Sequence, residues 1–139
     1  GAVADGARVA FRGAVPAGKG FFHPLTILDE VDPAMRAVNE EIFGPVLCVM
    51  RFTGDEALDA LMARANDTEY GLSAYGWTTS LERAQVMARQ LRAGSVKING
   101  SGMEFALPFG GFGQSGLGRE NGRAGVLAFT ETKAVMIGY

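Results

Sequence analysis

Short apolar runs and alternating patterns occur at six places along the chain, and each predicts a β-strand. The longest is VLCVMRF, residues 46–52, whose nearly unbroken apolar character is typical of a strand buried on both faces. The other five, in chain order, are ARVAF, LTIL, SAYGWT, SVKIN and the closing TKAVMIGY.

Helical signals lie between these runs. Asp32 followed by Pro33 predicts an N-cap with proline at the first helical position, opening a short helix that reaches about Val38. Capping-box spacing predicts two further helices, each with one apolar face. The first helix has the box Thr53/Glu56 and the apolar face Ala57, Leu58, Leu61, Met62 and Ala65. The second has the box Thr79/Glu82 and the apolar face Ala84, Met87, Ala88 and Leu91, and it is predicted to end near Gly94.

The alternation of strands and helices predicts an α/β fold with parallel strand pairing. The terminal strand differs, because it follows a weak, glycine-containing helix and has no obvious partner. An unpaired apolar strand promotes aggregation unless another segment covers it. It is therefore a candidate for pairing with another domain or subunit; the alternative is an ordinary edge strand of the same sheet.

The composition is that of one globular domain and narrows the possible functions. A net charge of -2 provides no basic face for nucleic acid. No apolar segment approaches the roughly 20 residues that span a bilayer, and no signal peptide is visible. The single cysteine fits a reducing compartment, and one Cys with one His argues against a metal site.

Three features suggest chemistry, yet structural interpretations are favoured for each. The segment GFGQSG, residues 111–116, matches G-x-G-x-x-G, but Pro108 and Gly110 interrupt the strand that a dinucleotide fingerprint requires, so an irregular loop is predicted. Cys48 lies inside an apolar run, which favours core packing over a reactive thiolate. His23 has no second histidine or obvious acid partner and is interpreted as structural or surface-exposed.

The segment NEEIFGPV, residues 39–46, places two acids and an aromatic ring before a Gly-Pro turn. Glu40 and Glu41 are expected to point in different directions, because successive side chains diverge. An inward carboxylate suits hydrogen bonds from sugar hydroxyls, and Phe43 would share its direction if the backbone is extended. Acid and ring together suit a ribose that carries a flat base; the alternative is a surface acid and a core phenylalanine.

An ordered series of motifs resembles the aldehyde dehydrogenase superfamily along essentially the whole chain. NEEIFGPVLCVMRF resembles the family's Glu-x-Phe-Gly-Pro segment. The other matching segments are GKGFFHPLTILDEV, ANDTEYGLSAYGWTTSLERAQVMARQLRAGSVKIN, PFGGFGQSGLGRENG and FTETKAV. The resemblance implies a partial doubly wound parallel sheet of the family's catalytic domain over residues 1–129, followed by an oligomerisation strand at residues 130–139.

The resemblance implies oxidation of a small-molecule aldehyde to a carboxylic acid with NAD or NADP, through a cysteine thiolate and a water activated by a glutamate. It implies that Glu41 holds the hydroxyls of the nicotinamide ribose and that Phe43 packs beside the nicotinamide. Asn99 is expected to make a structural hydrogen bond. The implied substrate-binding residues are Phe109, which lines the aldehyde tunnel, and, as candidates in the loop of residues 100–107, Met103, Glu104 and Phe105.

The family's nucleophilic cysteine and general-base glutamate precede the matching segments, whereas Cys48 follows the Glu-x-Phe-Gly-Pro segment. No catalytic residue is therefore expected in this chain. We expect a C-terminal portion of a cytoplasmic, homo-oligomeric aldehyde dehydrogenase, inactive alone and with weak or no cofactor binding, whose partners are the remainder of the enzyme and other subunits. The alternative is a stand-alone oligomerisation or binding module derived from the family.

Overall fold

The computed structural model describes residues 1–139 and divides into two compact units, Gly1–Asp55 and Glu56–Tyr139. Each unit contains a sheet with one parallel strand pair, so the predicted α/β class is confirmed. The strands form two sheets, one of three strands and one of two. None of the helices is long and apolar enough to cross a membrane.

The first unit is built on a three-stranded sheet in the order β1-β2-β3. The edge strand β1 (Arg8–Arg12) runs antiparallel to β2 (Thr26–Asp29), which pairs in parallel with β3 (Val46–Cys48). The short helix α1 (Arg36–Asn39) lies in the connection between the two parallel strands. The central strand is the most buried, whereas β1 is exposed along its whole length.

A buried carboxylate closes one end of this sheet. Asp29 accepts hydrogen bonds from the guanidinium groups of Arg8 and Arg51, at 2.6 and 2.9 Å, and from the backbone N–H of Glu30 at 2.8 Å. The hydrogen bond from Arg51, followed by that from the Glu30 amide, lowers the pKa of Asp29 below its ordinary value. The carboxylate thus links β1, β2 and the segment after β3.

Two elements of the first unit are shorter than the sequence predicts. α1 begins at Arg36 and not at Pro33, because the Asp32 carboxylate accepts from the Ala34 amide in a preceding turn, at 2.8 Å. β3 ends at Cys48, and its residues are half-buried or exposed, so the prediction of a strand over residues 46–52 buried on both faces is wrong. β3 is an edge strand: it forms hydrogen bonds with β2 on one side only, and its other edge has no neighbouring strand.

The second unit contains a two-stranded parallel sheet of β4 (Ser73–Gly76) and β5 (Ser95–Ile98), joined through helix α3 (Leu81–Gln90). A side chain at Gly76 would overlap the Met87 thioether, so α3 packs directly on β4. Helix α2 (Leu58–Ala65) precedes the sheet and contributes the buried Met62. A 3₁₀ turn (Gly113–Ser115) and helix α4 (Gly122–Leu127) lie in the glycine-rich C-terminal part.

The predicted helix boundaries of this unit are wrong in three places. α2 has Ala57 as its N-cap without a side-chain hydrogen bond, so the Thr53/Glu56 box does not form. α3 is capped by Ser80, whose hydroxyl accepts from the Arg83 amide at 3.3 Å, because a serine directly before the helix is placed better than Thr79. α3 ends at Gln90, four residues before Gly94.

Residues 130–139 form no strand within this chain and are exposed throughout. The predicted terminal strand is therefore wrong for the chain by itself, since no neighbouring strand of the chain pairs with it. Its assignment as an oligomerisation strand stays a prediction that concerns a second subunit.

Asn99 fastens the ends of β4 and β5 together. Its backbone N–H donates to Gly76 O at 2.8 Å, while its side chain accepts from the Thr78 N–H and donates to Thr78 O, both at 2.8 Å. Its φ of +56° lies in the left-handed region, which asparagine tolerates better than most residues. The predicted structural hydrogen bond of Asn99 is confirmed.

An exposed aromatic pair lies on one side of β4. The rings of Tyr75 and Trp77 stack with centroids 6.3 Å apart and planes 16° from parallel. Lys97, the register partner of Tyr75 on β5, places its ammonium group 5.1 Å from the Tyr75 ring centroid. The Trp77 side chain remains 67% exposed, so the pair forms a solvent-facing surface.

Candidate functional site

The segment of residues 39–46 is anchored at its start by a charged pair. The Arg36 guanidinium donates to both carboxylate oxygens of Glu40, at 2.9 and 2.7 Å, and the Glu40 N–H donates to Arg36 O at 2.8 Å. Asn39 adds a side-chain hydrogen bond to Pro33 O at 2.6 Å. Glu40 is thus held on α1 by both its backbone and its side chain.

The same segment is anchored at its end by the sheet. The Val46 N–H donates to Gly44 O at 2.7 Å, which closes a three-residue turn centred on Pro45. The carbonyl of Pro45 then accepts from the Thr26 N–H at 2.9 Å, one step before the parallel β2–β3 pairing begins. The turn at the Gly-Pro pair therefore leads directly into β3.

The two adjacent carboxylates of this segment differ in their surroundings. The hydrogen bonds from Arg36 lower the pKa of Glu40, whose two carboxylate oxygens each accept one of them. Glu41 is exposed and makes neither a hydrogen bond nor a salt bridge in this chain. Of the pair that the sequence singled out, Glu41 is the carboxylate available to a ligand.

Phe43 has an unusual backbone and an exposed ring. Its φ is +48°, in the left-handed region, so the backbone is not extended here, and the condition under which Phe43 would share the direction of the acid is not met. The side chain is 91% exposed, and the alternative interpretation of Phe43 as a core residue is therefore also wrong. A left-handed conformation costs a non-glycine residue about 1–3 kcal/mol, and such positions concentrate at functional sites.

A second group of candidate residues meets in a pocket of about 360 Å³ in the second unit. Its walls are residues 94–97 at β5, residues 102–104 and 107–109 of the following loop, and Asn121. Met103, Glu104 and Phe109 all line this pocket. Phe105 does not, and its side chain is 69% exposed.

The loop that follows the pocket holds Phe109 in place. Its backbone N–H donates to Glu120 O at 2.8 Å, and the Glu120 N–H donates back to Phe109 O at 2.7 Å. The Arg119 guanidinium donates to Gly111 O at 3.0 Å and to Gly118 O at 2.6 Å, which ties the two ends of the glycine-rich loop together. The irregular loop predicted for GFGQSG is confirmed.

Neither Cys48 nor His23 has the setting of a reactive group. The Cys48 thiol donates to Ala37 O at 3.2 Å, and its burial raises the pKa of the thiol, which disfavours the thiolate. The Nδ1 of His23 is 2.8 Å from Pro24 O, and this histidine is exposed. No group of three or more His, Cys, Asp or Glu side chains is close enough to hold a metal ion.

Sequence reasoning missed two arginines that organise these sites, Arg36 and Arg119. The i, i+4 spacing of Arg36 and Glu40 is a signal that predicts such a pair once the helix is recognised. Arg119 offers no comparable signal, because its partners are backbone carbonyl groups whose positions follow from the loop conformation.

The chain matches the family model described as "Aldehyde dehydrogenase family" over residues 1–135. Among curated proteins it is 49% identical to a 3-succinoylsemialdehyde-pyridine dehydrogenase from Pseudomonas sp, over 96% of this chain and 28% of that protein. It is 40% identical to a betaine aldehyde dehydrogenase from Brucella melitensis, with the same two coverages.

The fold is similar to solved structures of the same kind. An aldehyde dehydrogenase from Mycobacterium tuberculosis, solved in complex with NAD+, superposes with a TM-score of 0.87 at 38% identity, over 98% of this chain and 28% of that one. An aldehyde dehydrogenase from Pseudomonas syringae, complexed with NAD+ and octanal, superposes with a TM-score of 0.86 at 40% identity, over 96% of this chain and 27% of that one. The chain thus spans little more than a quarter of the length of these relatives.

Proposed function

Because this chain belongs to the aldehyde dehydrogenase family, we propose that it is part of an NAD(P)-dependent oxidoreductase that converts an aldehyde to a carboxylic acid. The observation that carries the proposal is the contrast between Glu40, which is engaged by Arg36, and Glu41, which makes no hydrogen bond and precedes the exposed Phe43 by two residues. This arrangement supports a cofactor-binding role for Glu41 and Phe43.

The two residues fit the nicotinamide end of the cofactor chemically. A free carboxylate offers two oxygen acceptors, which match the two adjacent hydroxyls of a ribose. An exposed phenylalanine offers a flat apolar face for a heteroaromatic ring. When bound, NAD(P) supplies the acceptor for the hydride; Glu41 and Phe43 bind and orient it.

We place the aldehyde at the second group of residues. Met103 and Phe109 supply apolar contacts in the pocket of the second unit. Glu104 lines the same pocket, and its carboxylate is fixed by a hydrogen bond from the Ala106 N–H at 3.0 Å. Phe105, which lies outside the pocket, belongs to the proposal through its position in the same loop.

The remaining parts of the reaction are proposed to come from residues beyond these 139. The nucleophilic cysteine and the general base would belong to a longer polypeptide, since Cys48 lacks the setting of a nucleophile. Residues 130–139 are proposed to contact another subunit of a homo-oligomer. The single cysteine supports a cytoplasmic location. Cofactor binding by the 139 residues alone is expected to be weak or absent.

The mass of the native polypeptide tests this proposal first. An antibody against this chain should detect a product several times heavier than 14.7 kDa in extracts of the source organism. A product of this size would instead favour the stand-alone oligomerisation or binding module.

The site assignment is tested in the complete polypeptide with Glu41→Gln. Losing a charge-assisted hydrogen bond should weaken cofactor binding about ten- to a hundredfold. Glu82→Gln, at an exposed glutamate of α3 outside any salt bridge, is the matched control. Unchanged cofactor affinity in Glu41→Gln would overturn the assignment of Glu41.

A further inference from the structure

We propose that Arg36 is a positioning residue that makes Glu41, and not Glu40, the carboxylate that meets the cofactor ribose. Arg36 does so by holding the Glu40 side chain on α1. The proposal rests on the function proposed above for Glu41, and it assigns a role to a residue that touches neither cofactor nor substrate.

The backbone conformation of Glu40 determines where the Glu41 side chain points relative to the Glu40 side chain. Glu40 has φ -96° and ψ +144°, an extended conformation. Successive side chains of an extended backbone point to opposite sides. Because Arg36 fixes Glu40 on the side of α1, the Glu41 carboxylate is directed away from α1.

The middle of the segment is not held by hydrogen bonds. Residues 41–43 make no hydrogen bond in this chain, through backbone or side chain. Their placement therefore depends on the two anchors, the Arg36–Glu40 pair at one end and Pro45 bonded to Thr26 at the other. Loss of the side-chain pair would leave only backbone hydrogen bonding to hold Glu40 on α1, and so a looser anchor at this end of the segment.

Stability does not account for this pair. The side chains of Arg36 and Glu40 are 82% and 60% exposed, and exposed ion pairs contribute little to folding free energy. Orientation is a better explanation, because the guanidinium engages both carboxylate oxygens and so fixes the plane of the group.

The test measures the dissociation constant of NAD+ or NADP+ by calorimetry in the complete polypeptide, together with KM and kcat. Arg36→Gln should weaken cofactor binding roughly tenfold, the lower end of what loss of an orienting partner costs at metal sites. We expect kcat at saturating cofactor and the thermal unfolding midpoint to stay close to those of the parent protein. Arg89→Gln, an exposed arginine of α3 outside any salt bridge, is the matched control.

A reversed pair separates positioning from a simple effect of charge. Arg36→Glu combined with Glu40→Arg should recover most of the cofactor affinity, because the same two side chains again hold each other on α1. Unchanged affinity in Arg36→Gln, or no recovery in the reversed pair, would overturn the role of Arg36 even if Glu41→Gln weakens binding. If Glu41→Gln itself has no effect, the proposed function of Glu41 fails and the role of Arg36 fails with it.

Discussion

The backbone of Gly94 lies against the carbonyl group of Gly110 with no room for a side chain between them. Gly110 follows Phe109, so this contact sets where the pocket residue stands relative to β5. We expect Gly94→Ala to displace the loop, to destabilise the fold by several kcal/mol as in other cases of overpacking, and to alter the KM for aldehyde. The control is Gly54→Ala, where the added Cβ meets no atom within 4 Å. Equal unfolding midpoints for the two variants would contradict the prediction.

Phe43 should show a conflict between stability and binding. Its φ of +48° is easier for glycine than for any residue with a Cβ. We expect Phe43→Gly to be more stable than Phe43→Ala by up to about 1 kcal/mol, from denaturant unfolding. Both variants should weaken cofactor binding, because both remove the ring. Greater stability of the alanine variant would argue against a left-handed backbone at this position.

Three substitutions at Asn99 separate its backbone conformation from its hydrogen bonds. Asn99→Gly keeps the left-handed φ and loses both side-chain bonds to Thr78, Asn99→Asp keeps only the acceptor, and Asn99→Ala loses both bonds and the conformational preference. We therefore expect the alanine variant to be the least stable, by about 1–2 kcal/mol. Thermal unfolding of the set measures the order, and an alanine variant as stable as the parent would refute it.

The stability contributed by Asp29 should depend on pH in the acidic range. Its pKa is lowered in the folded chain, chiefly by the hydrogen bond from Arg51, so folding favours the ionised carboxylate. This contribution is complete above the ordinary aspartate pKa of about 3.9 and is lost as the pH falls through the folded value. Asp29→Asn should therefore be less stable than the parent protein at neutral pH, with a difference that shrinks below about pH 4.

Urea midpoints at neutral pH and at about pH 3 measure this difference. Asp67→Asn, at an exposed aspartate outside any salt bridge, should show no such trend. A difference for Asp29→Asn that stays constant with pH would rule out its carboxylate as the source.

The isolated 139 residues should associate in solution. Ala7, Leu28 and Met62 are the only buried hydrophobic residues, whereas many large apolar side chains are exposed. Exposed apolar surface of this extent drives association. Sedimentation velocity over a range of concentrations should give a mass above 14.7 kDa, and a concentration-independent monomer would contradict the prediction.

The terminal segment can be tested as the associating surface. Ile137, which is 79% exposed, should reduce association when replaced by lysine. The control is Leu81→Lys, at a similarly exposed leucine of α3. Equal effects of the two substitutions would show that residues 130–139 have no special part in the association.

Sequence patterns predicted which elements exist better than where they begin. The strands at residues 8–12, 73–76 and 95–98 and the helix at residues 81–90 follow from local periodicity, which short-range physics enforces. The starts of α1 and α3 depend on which of several nearby polar residues accepts an amide hydrogen, as at Asp32 and Ser80. β3 and the terminal segment depend on neighbouring strands, which the pattern of one segment does not encode.

The candidate sites divide in the same way. Residue type and order make Glu41 and Phe43 candidates, but the left-handed backbone of Phe43 is not visible in the sequence. The salt bridge between Glu40 and Arg36 could have been predicted from their i, i+4 spacing. Met103 and Glu104 line the pocket and Phe105 does not. The sequence does not distinguish these three neighbours, because the path of the loop decides which side chains face the pocket.

The stacked pair of Tyr75 and Trp77, at the end of β4, gives the molecule an optical reporter. Trp77 is the only tryptophan in the chain, so all indole fluorescence arises from one exposed ring beside Tyr75. Emission from an indole in water lies at long wavelength and moves to shorter wavelength when water is excluded. The wavelength of the emission maximum therefore shows, without any added label, whether another surface has covered this side of the sheet.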